Sequence, residues 1–460
     1  MLALRGGRVR WAVMIALVGP ILACGRSIAP HRDGAAGSGG RPDAVFYPSG
    51  SGPGGQGGQG NASGTSSSAG SGSVEPVVPP TGAPAWMYDP AGWESVDTLP
   101  GCITRVARDP QAIHPGLAFA SCGPGCRRAD VIPGTRSAAA ILGTSARMVG
   151  GEFFASLSAR IEADRTAYLM GTYRLGDGKP TVLIAEDGHC IAQLAGRGSL
   201  STFRVFPRTG DFQSRIGWVE PSTGKLSWLS PPSNWVFEGF DYGSGWGGRD
   251  VYGYGDVFIA PEPTRAEVTL LFSSTAPKYY AFAAEDVVTL TERGERGRVL
   301  LWTPGSAMWP VAEGQWEVAS VGVSTERVAW LAGTGERAQE GQYEATTLYS
   351  CALPEPGEAC NVEEGPTLPF FTALSVLSVQ GRWIALIGCS ESDCDAYLVD
   401  WEEGTTYRIE RVSSDHVIQV IGLSDTELIV ADSSPEVGSP DFDGLIRYDL
   451  GHLEDFATRL

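Results

Sequence analysis

A run of about five or six apolar residues, entered from a polar turn and left at Gly or an acidic residue, recurs along this chain. It is plainest as Val328-Ala329-Trp330-Leu331-Ala332-Gly333, Trp383-Ile384-Ala385-Leu386-Ile387-Gly388 and Leu428-Ile429-Val430-Ala431-Asp432. Earlier copies read at Leu117 to Ser121, Thr166 to Gly171, Ile216 to Glu220 and Val287 to Glu292. A strand that is apolar without alternation has two faces to hide, so each copy needs a neighbour on either side. Successive starts lie about 40 to 55 residues apart, with one gap of about 70 between Ile216 and Val287, and the shorter interval is the length of a four-stranded propeller blade. Copies closed into a ring cover both faces of every such strand.

Further strands follow each copy: Thr181 to Ile184 then His189 to Leu194, Lys225 to Trp228, Arg298 to Trp302 then Met308 to Ala312, Thr347 to Ser350, Ala396 to Val399 then Thr406 to Glu410, and Leu445 to Tyr448. No long stretch has helical periodicity. The expected fold class is therefore all-β: a β-propeller over 85–460 with seven blades, the pattern admitting six to eight. An eighth would be a compressed blade in the irregular region 235–285. A pair of β-sandwiches is the competing architecture.

The segments Asp443-Gly444-Leu445-Ile446-Arg447-Tyr448-Asp449-Leu450 and Glu403-Gly404-Thr405-Thr406-Tyr407 run from an acidic-Gly turn straight into a strand. In this the region from 85 to 460 resembles the secreted bacterial propellers called TolB-like or WD40-like, and the resemblance implies a propeller fold. It carries no Gly-His to Trp-Asp pairing, no kelch double glycine and no sialidase Asp-box, so no catalytic or binding residue transfers with it.

At the N-terminus Arg5, Arg8 and Arg10 precede an apolar run from Trp11 to Leu22, which Gly19-Pro20 interrupts and which is too short for a permanent membrane helix. The run ends in Ile21-Leu22-Ala23-Cys24-Gly25, which resembles a bacterial lipobox. That resemblance implies that 1–23 is a lipoprotein signal peptide and that Cys24 carries lipid. Gly25, in place of Asp, implies the outer membrane, with the periplasmic or surface face left open. From 24 to 84 the chain is dominated by Gly, Ser, Pro and Ala, as in Ser49-Gly50-Ser51-Gly52-Pro53-Gly54-Gly55-Gln56, and such a segment is expected to be a disordered linker. A Gly/Ser coil of about 60 residues reaches roughly 40 to 45 Å. The expected partner at this end is the membrane, through the lipid anchor.

The formal net charge of −19 excludes attraction to a phosphate backbone, so no nucleic-acid partner is expected. Nine cysteines are present, and setting Cys24 aside leaves an even set, which in an exported chain points to disulfides. Turn-rich spacers suggest local pairs: Cys351 with Cys360, Cys389 with Cys394, and Cys122 with Cys126 around Gly-Pro-Gly. Cys102 and Cys190 remain for each other by elimination. No CxxC occurs and no His or Cys pairs stand at finger spacing, so no metal site is expected.

Catalytic patterns are missing as well. The histidines His31, His114, His189, His416 and His452 never fall at i, i+4, and there is no HExxH, G-x-S-x-G elbow or phosphate loop. His114, before Pro115, and His416, at the head of an apolar strand, read as structural. The stretch Asp432 to Gly444 contains Asp441-Phe442-Asp443-Gly444, but Leu445 stands where a calcium loop needs an oxygen ligand, so it reads as a hairpin turn. The most unusual composition lies between Phe240 and Asp256. There Asp241, Tyr242, Trp246, Arg249, Asp250, Tyr252, Tyr254 and Asp256 are set among glycines; the favoured reading is an edge loop that packs its rings on the propeller, and the alternative is a ligand site, since rings with carboxylates and a guanidinium can stack on sugars and bond hydroxyls.

These readings favour a non-enzymatic role: a lipid-anchored cell-envelope protein presenting a β-propeller as a binding or scaffold module for a protein or glycan, with no cofactor. The alternative is an envelope-anchored polysaccharide hydrolase or lyase using carboxylates near Trp246, since glycoside hydrolysis requires two such groups across the scissile bond. Convergence of Asp241, Asp250 or Asp256 with Arg249 in one pocket would separate the two.

Overall fold

A computed structural model describes residues 91–99, 102–130, 139–161, 167–186, 190–195, 199–207, 214–229, 237–242, 245–250, 256–260, 268–273, 281–292, 297–334, 345–368, 373–389, 394–410, 417–433 and 444–460. The expected signal peptide, Cys24 and the boundaries of the expected linker lie outside these residues.

The chain first forms strands β1 (Trp93–Leu99) and β2 (Cys102–Ala107), helix α1 (Pro110–Ile113), and strands β3 (Ala120–Gly123) and β4 (Cys126–Asp130). Four-stranded antiparallel units then follow in order. Blade 1 is β5 (Ala139–Val149), β6 (Glu152–Ile161), β7 (Ala167–Arg174) and β8 (Pro180–Glu186); blade 2 is β9 (Cys190–Leu194), β10 (Thr202–Pro207), β11 (Arg215–Val219) and β12 (Leu226–Leu229). Blade 3 is β13 (Phe237–Tyr242), β14 (Gly245–Asp250), β15 (Val257–Ala260) and β16 (Thr269–Phe272); blade 4 is β17 (Ala281–Ala284), β18 (Val287–Glu292), β19 (Gly297–Trp302) and β20 (Trp309–Gly314). Blade 5 is β21 (Glu317–Val323), β22 (Arg327–Thr334), β23 (Ala345–Ala352) and β24 (Glu363–Thr367); blade 6 is β25 (Ala373–Gln380), β26 (Trp383–Cys389), β27 (Cys394–Asp400) and β28 (Thr405–Ile409). Blade 7 has β29 (Val417–Leu423), β30 (Glu427–Ser433) and β31 (Gly444–Asp449), and a 3-10 turn over Leu450–Asp455 leads to β32 (Ala457–Arg459).

Blade 7 takes its fourth strand from the other end of the domain. β31 pairs antiparallel with β4, Leu445 opposite Ala129 and Tyr448 opposite Cys126, and β3 adds outside it. The β1–β2 hairpin extends blade 1 through β2 and β8, and β32 extends blade 6 through β28. The first strands of successive blades stand beside one another, β21 by β25, β25 by β29 and β29 by β5, which closes the ring. The fold is a seven-bladed β-propeller.

Its core is divided among the seams. Trp330 and Val328 on β22 face blade 4 beside Val299, Leu301 and Val311, whereas Ala329 and Leu331 on the same strand face blade 6 beside Ile384, Leu386 and Val399. Seam 2–3 is packed by Ile216, Trp218, Trp246 and Phe258, and seam 7–1 by Ile429, Ala431, Leu445, Phe153 and Leu157. The second strands β22, β26 and β30 are buried on both sides, the condition that the unalternating runs of the sequence demand.

The position of those runs within the blades differs from a simple repeat. Val287 to Glu292, and the copies starting at Val328, Trp383 and Leu428, are second strands, while Thr166 to Gly171 and Ile216 to Glu220 fall on third strands. Leu117 to Ser121 starts no blade; it leads into the closing strands. The irregular region 235–285 holds blade 3 in full, so the count stays at seven. First strands stand next to one another around the ring, and between blades 7 and 1 Gly422 of β29 packs on Ala146 of β5.

Disulfides join Cys122 to Cys126 and Cys351 to Cys360, with Cα atoms 5.2 and 6.0 Å apart, and Cys190 is also disulfide-bonded. Cys389 lies directly opposite Cys394 in the β26–β27 ladder. The side chains of Cys102, Cys389 and Cys394 lie outside the described residues.

Candidate functional site

Blade 3 carries the glycine-rich stretch, and its hairpin register spreads the candidate residues over two ends. In the β13–β14 ladder Asp241 pairs with Trp246 and Phe237 with Asp250, so Asp241 and Asp250 stand at opposite ends of one hairpin. The β14–β15 register sets Arg249 opposite Val257, which brings Asp250 and Asp256 together at the far end.

At the near end the polar groups are committed to structure. The Asp241 carboxylate, 1% exposed, accepts the backbone N–H groups of Leu200 at 2.7 Å and Ser201 at 3.0 Å, and the Arg147 guanidinium from blade 1 lies 3.7 Å away. The same blade 2 turn is held from its other side by the Ser156 hydroxyl, which donates to the Leu200 carbonyl at 2.5 Å. Asp241 thus links blades 1, 2 and 3. Gly247 has no side chain because a Cβ there would run into the Phe240 ring. Trp246 is buried edge-on to Phe258 at 5.6 Å, so its ring is seam packing and offers no platform for a sugar. Tyr242 is buried beside Trp302, and burial with the nearby Asp286 charge raises its pKa, which keeps the phenol protonated.

The far end is different in kind. Arg249 and Asp250 close β14, and Asp256 precedes β15 half-buried, its Oδ1 making no hydrogen bond among the described residues. Tyr252 and Tyr254 lie outside the described residues. On the outer side of the blade, Phe272 pairs with Val257, so the end of β16 sits at this same end. Phe272 and Ser273 there form one wall of a groove of about 330 Å³, with Leu300, Met308 and Pro310 of blade 4 as its apolar floor and Glu292 and Arg298 as its polar edge. Arg298 Nη1 is 2.6 Å from Glu292 and its Nε 3.8 Å from Glu313. A mainly polar groove with an apolar floor and one paired cation and anion suits a ligand carrying both kinds of group. The composition signal pointed at blade 3 but missed the blade 4 half, whose residues look like ordinary strand ends.

Elsewhere, His114 closes α1 with its ring buried against Tyr173 at 5.5 Å, and its Nδ1 accepts the Gly116 N–H at 2.9 Å. Burial lowers its pKa to about 4, and its place is structural. Asp432, from the stretch weighed as a calcium loop, pairs with Arg128; Asp441 to Asp443 lie outside the described residues. Among the described residues no group of three or more His, Cys, Asp or Glu is placed to hold a metal ion.

No protein-family description matches the chain, and no curated sequence does. Solved structures of similar shape are numerous and distant. A Pyrococcus horikoshii acylaminoacyl peptidase matches at 10% identity and a TM-score of 0.41 over 64% of this chain, which spans about half of that protein, 49%. An oligogalacturonate lyase in complex with manganese matches at 10% and 0.44, covering 73% of this chain and 96% of the other. TolB from Acinetobacter baumannii matches at 9% and 0.34, covering 61% and 76%. Such likeness concerns the fold alone.

Proposed function

We propose that this protein is an exported, lipid-anchored β-propeller that binds a protein or glycan ligand, with the far end of blade 3 and the adjoining blade 3–4 groove as its contact surface. The observation that carries the binding reading is the commitment of Asp241, which stands at the end of the hairpin opposite Asp250. Asp241 is consumed by the Leu200–Ser201 turn at one end, so the pair of acid groups that a hydrolase needs is not assembled around Trp246. Tethering through Cys24 accords with the disulfides at Cys122–Cys126 and Cys351–Cys360, which persist in oxidising compartments.

Two experiments test the reading. Metabolic labelling with an alkyne fatty acid should mark the wild-type chain and leave Cys24→Ala unlabelled and released from the membrane fraction; equal labelling removes the anchor. Screening the full-length protein against glycan arrays and envelope extracts, in parallel with Met308→Arg and Arg298→Ala, should give binding that both variants weaken. Turnover of a polysaccharide abolished by Asp256→Asn would instead establish the hydrolase or lyase alternative.

A further inference from the structure

Of the two disulfides described in full, the one in the ring-closing hairpin is the more open to an attacking thiol. All four residues of β3 are exposed, Cys122 among them, and Pro124 at the tip is exposed too. Cys126 is half-buried and packs against the seam 6–7 core near Tyr448 and Phe456, which stack at 4.1 Å. In the other described pair neither cysteine is exposed: Cys351 is fully buried in seam 4–5 and Cys360 is half-buried against the same cluster. The bond between Cys122 and Cys126 sits where the ring is joined. Cys126 is the first residue of β4 to pair with β31, the Gly125 carbonyl accepts the Asp449 N–H at 2.8 Å, and Gly125, at φ +60°, lies so close beneath His452 that a Cβ would strike it.

We propose that the Cys122–Cys126 disulfide is a thiol-exchange site whose opening loosens the start of the ring-closing strand. The partner is an external dithiol. One of its thiolates attacks Cys122 Sγ, the accessible sulfur; a mixed disulfide forms there, the Cys122–Cys126 bond breaks, and Cys126 leaves as a thiolate that takes up a proton. The partner's second thiolate then attacks its own sulfur in the mixed disulfide and releases Cys122. The partner ends oxidised to a disulfide and both cysteines end reduced. The rest of β4 stays docked through the ladder to β31 and through Arg128 Nη2, 2.9 Å from the Asp432 carboxylate. Reduction therefore frees the hairpin tip without opening the propeller.

The test uses the full chain with dithiothreitol as the dithiol, quenched at intervals by alkylation and read by peptide mass. Cys122 and Cys126 should become alkylated roughly tenfold faster than Cys351 and Cys360, as accessible disulfides exchange faster. Amide hydrogen exchange of the reduced protein should rise over 120–127 and stay unchanged across blades 2 to 5. In parallel, Cys126→Ser, which leaves Cys122 alone, should form a mixed disulfide with oxidised dithiothreitol or glutathione faster than Cys122→Ser, which leaves the half-buried Cys126. The double Cys122→Ser, Cys126→Ser variant should fold and reproduce the exchange pattern of the reduced protein. Equal opening of the two disulfides, or unchanged hydrogen exchange over 120–127 after reduction, would overturn the proposal.

Discussion

Arg128 Nη2 lies 2.9 Å from the carboxylate of Asp432, and the two residues come from opposite ends of the domain. Arg128 belongs to β4 and Asp432 to β30, with β31 between them, so the ion pair spans three strands of the blade that the ring depends on. Asp432 is fully buried and Arg128 is mostly covered. Removing the cation leaves a charge inside the protein. Arg128→Ala is expected to destabilise the domain by about 3 kcal/mol, because a buried partner left unpaired costs far more than a surface pair contributes. Urea unfolding measures this, and a loss under 1 kcal/mol would mean that the seam does not need the pair.

Asp241→Ala removes the acceptor for two backbone N–H groups in the turn that joins blade 2 to its neighbours. Orphaned buried donors cost about 1 to 3 kcal/mol each, so the variant should unfold at distinctly lower denaturant. Ligand binding at the far end of blade 3 should persist in whatever fraction remains folded. Loss of binding with unchanged stability would return Asp241 to the list of contact residues.

Gly178 sits at φ +71° in the turn after β7, and a Cβ there would collide with the Leu117 carbonyl, while Leu117 N–H donates to the Gly178 carbonyl at 2.7 Å. Gly178→Ala therefore attacks the contact that lays the N-terminal segment on blade 1. The left-handed conformation alone costs a non-glycine residue about 1 to 2 kcal/mol, and the clash adds to it. Limited proteolysis should show cleavage between Asp109 and Ser121 well before any cut in the blades.

The buried imidazole of His114 makes stability depend on pH. Its folded pKa is lowered to about 4 from 6.5, so at neutral pH neither state is charged and the group contributes nothing. Below pH 6.5 the unfolded chain takes up a proton that the folded chain refuses until about pH 4, and stability falls across that window by about 3 kcal/mol. His114→Asn should flatten this part of the profile when unfolding is followed at pH 7 and pH 4.5. A slope identical to the wild type would place the acid sensitivity elsewhere.

Much of the ring was legible from its apolar strands, for a physical reason. Second strands such as β22, β26 and β30 have a strand on each edge and a blade on each face, so their sequences are uniformly apolar and stand out. Hydrophobicity does not distinguish a second strand from a third, which is why the earlier copies landed on β7 and β11. Closure was not legible at all. The pairing of β4 with β31 joins residues far apart in the chain, and Cys126-Arg127-Arg128-Ala129-Asp130 contains three charges that read as solvent-facing until Asp432 is placed beside Arg128. The candidate site was half legible. Glycine marked where rings pack closely, as at Gly247 under Phe240, whereas the groove on blade 4 has no composition signal.

A fourth strand supplied from the front of the domain sets the order in which the protein can be completed. Ribosomal synthesis delivers β4 before any blade exists and β31 after nearly all of them, so the strand must wait unpaired until the last sheet emerges. Assembly therefore finishes in one late step, and a chain truncated before β31 has six sheets it can build and a gap it cannot seal.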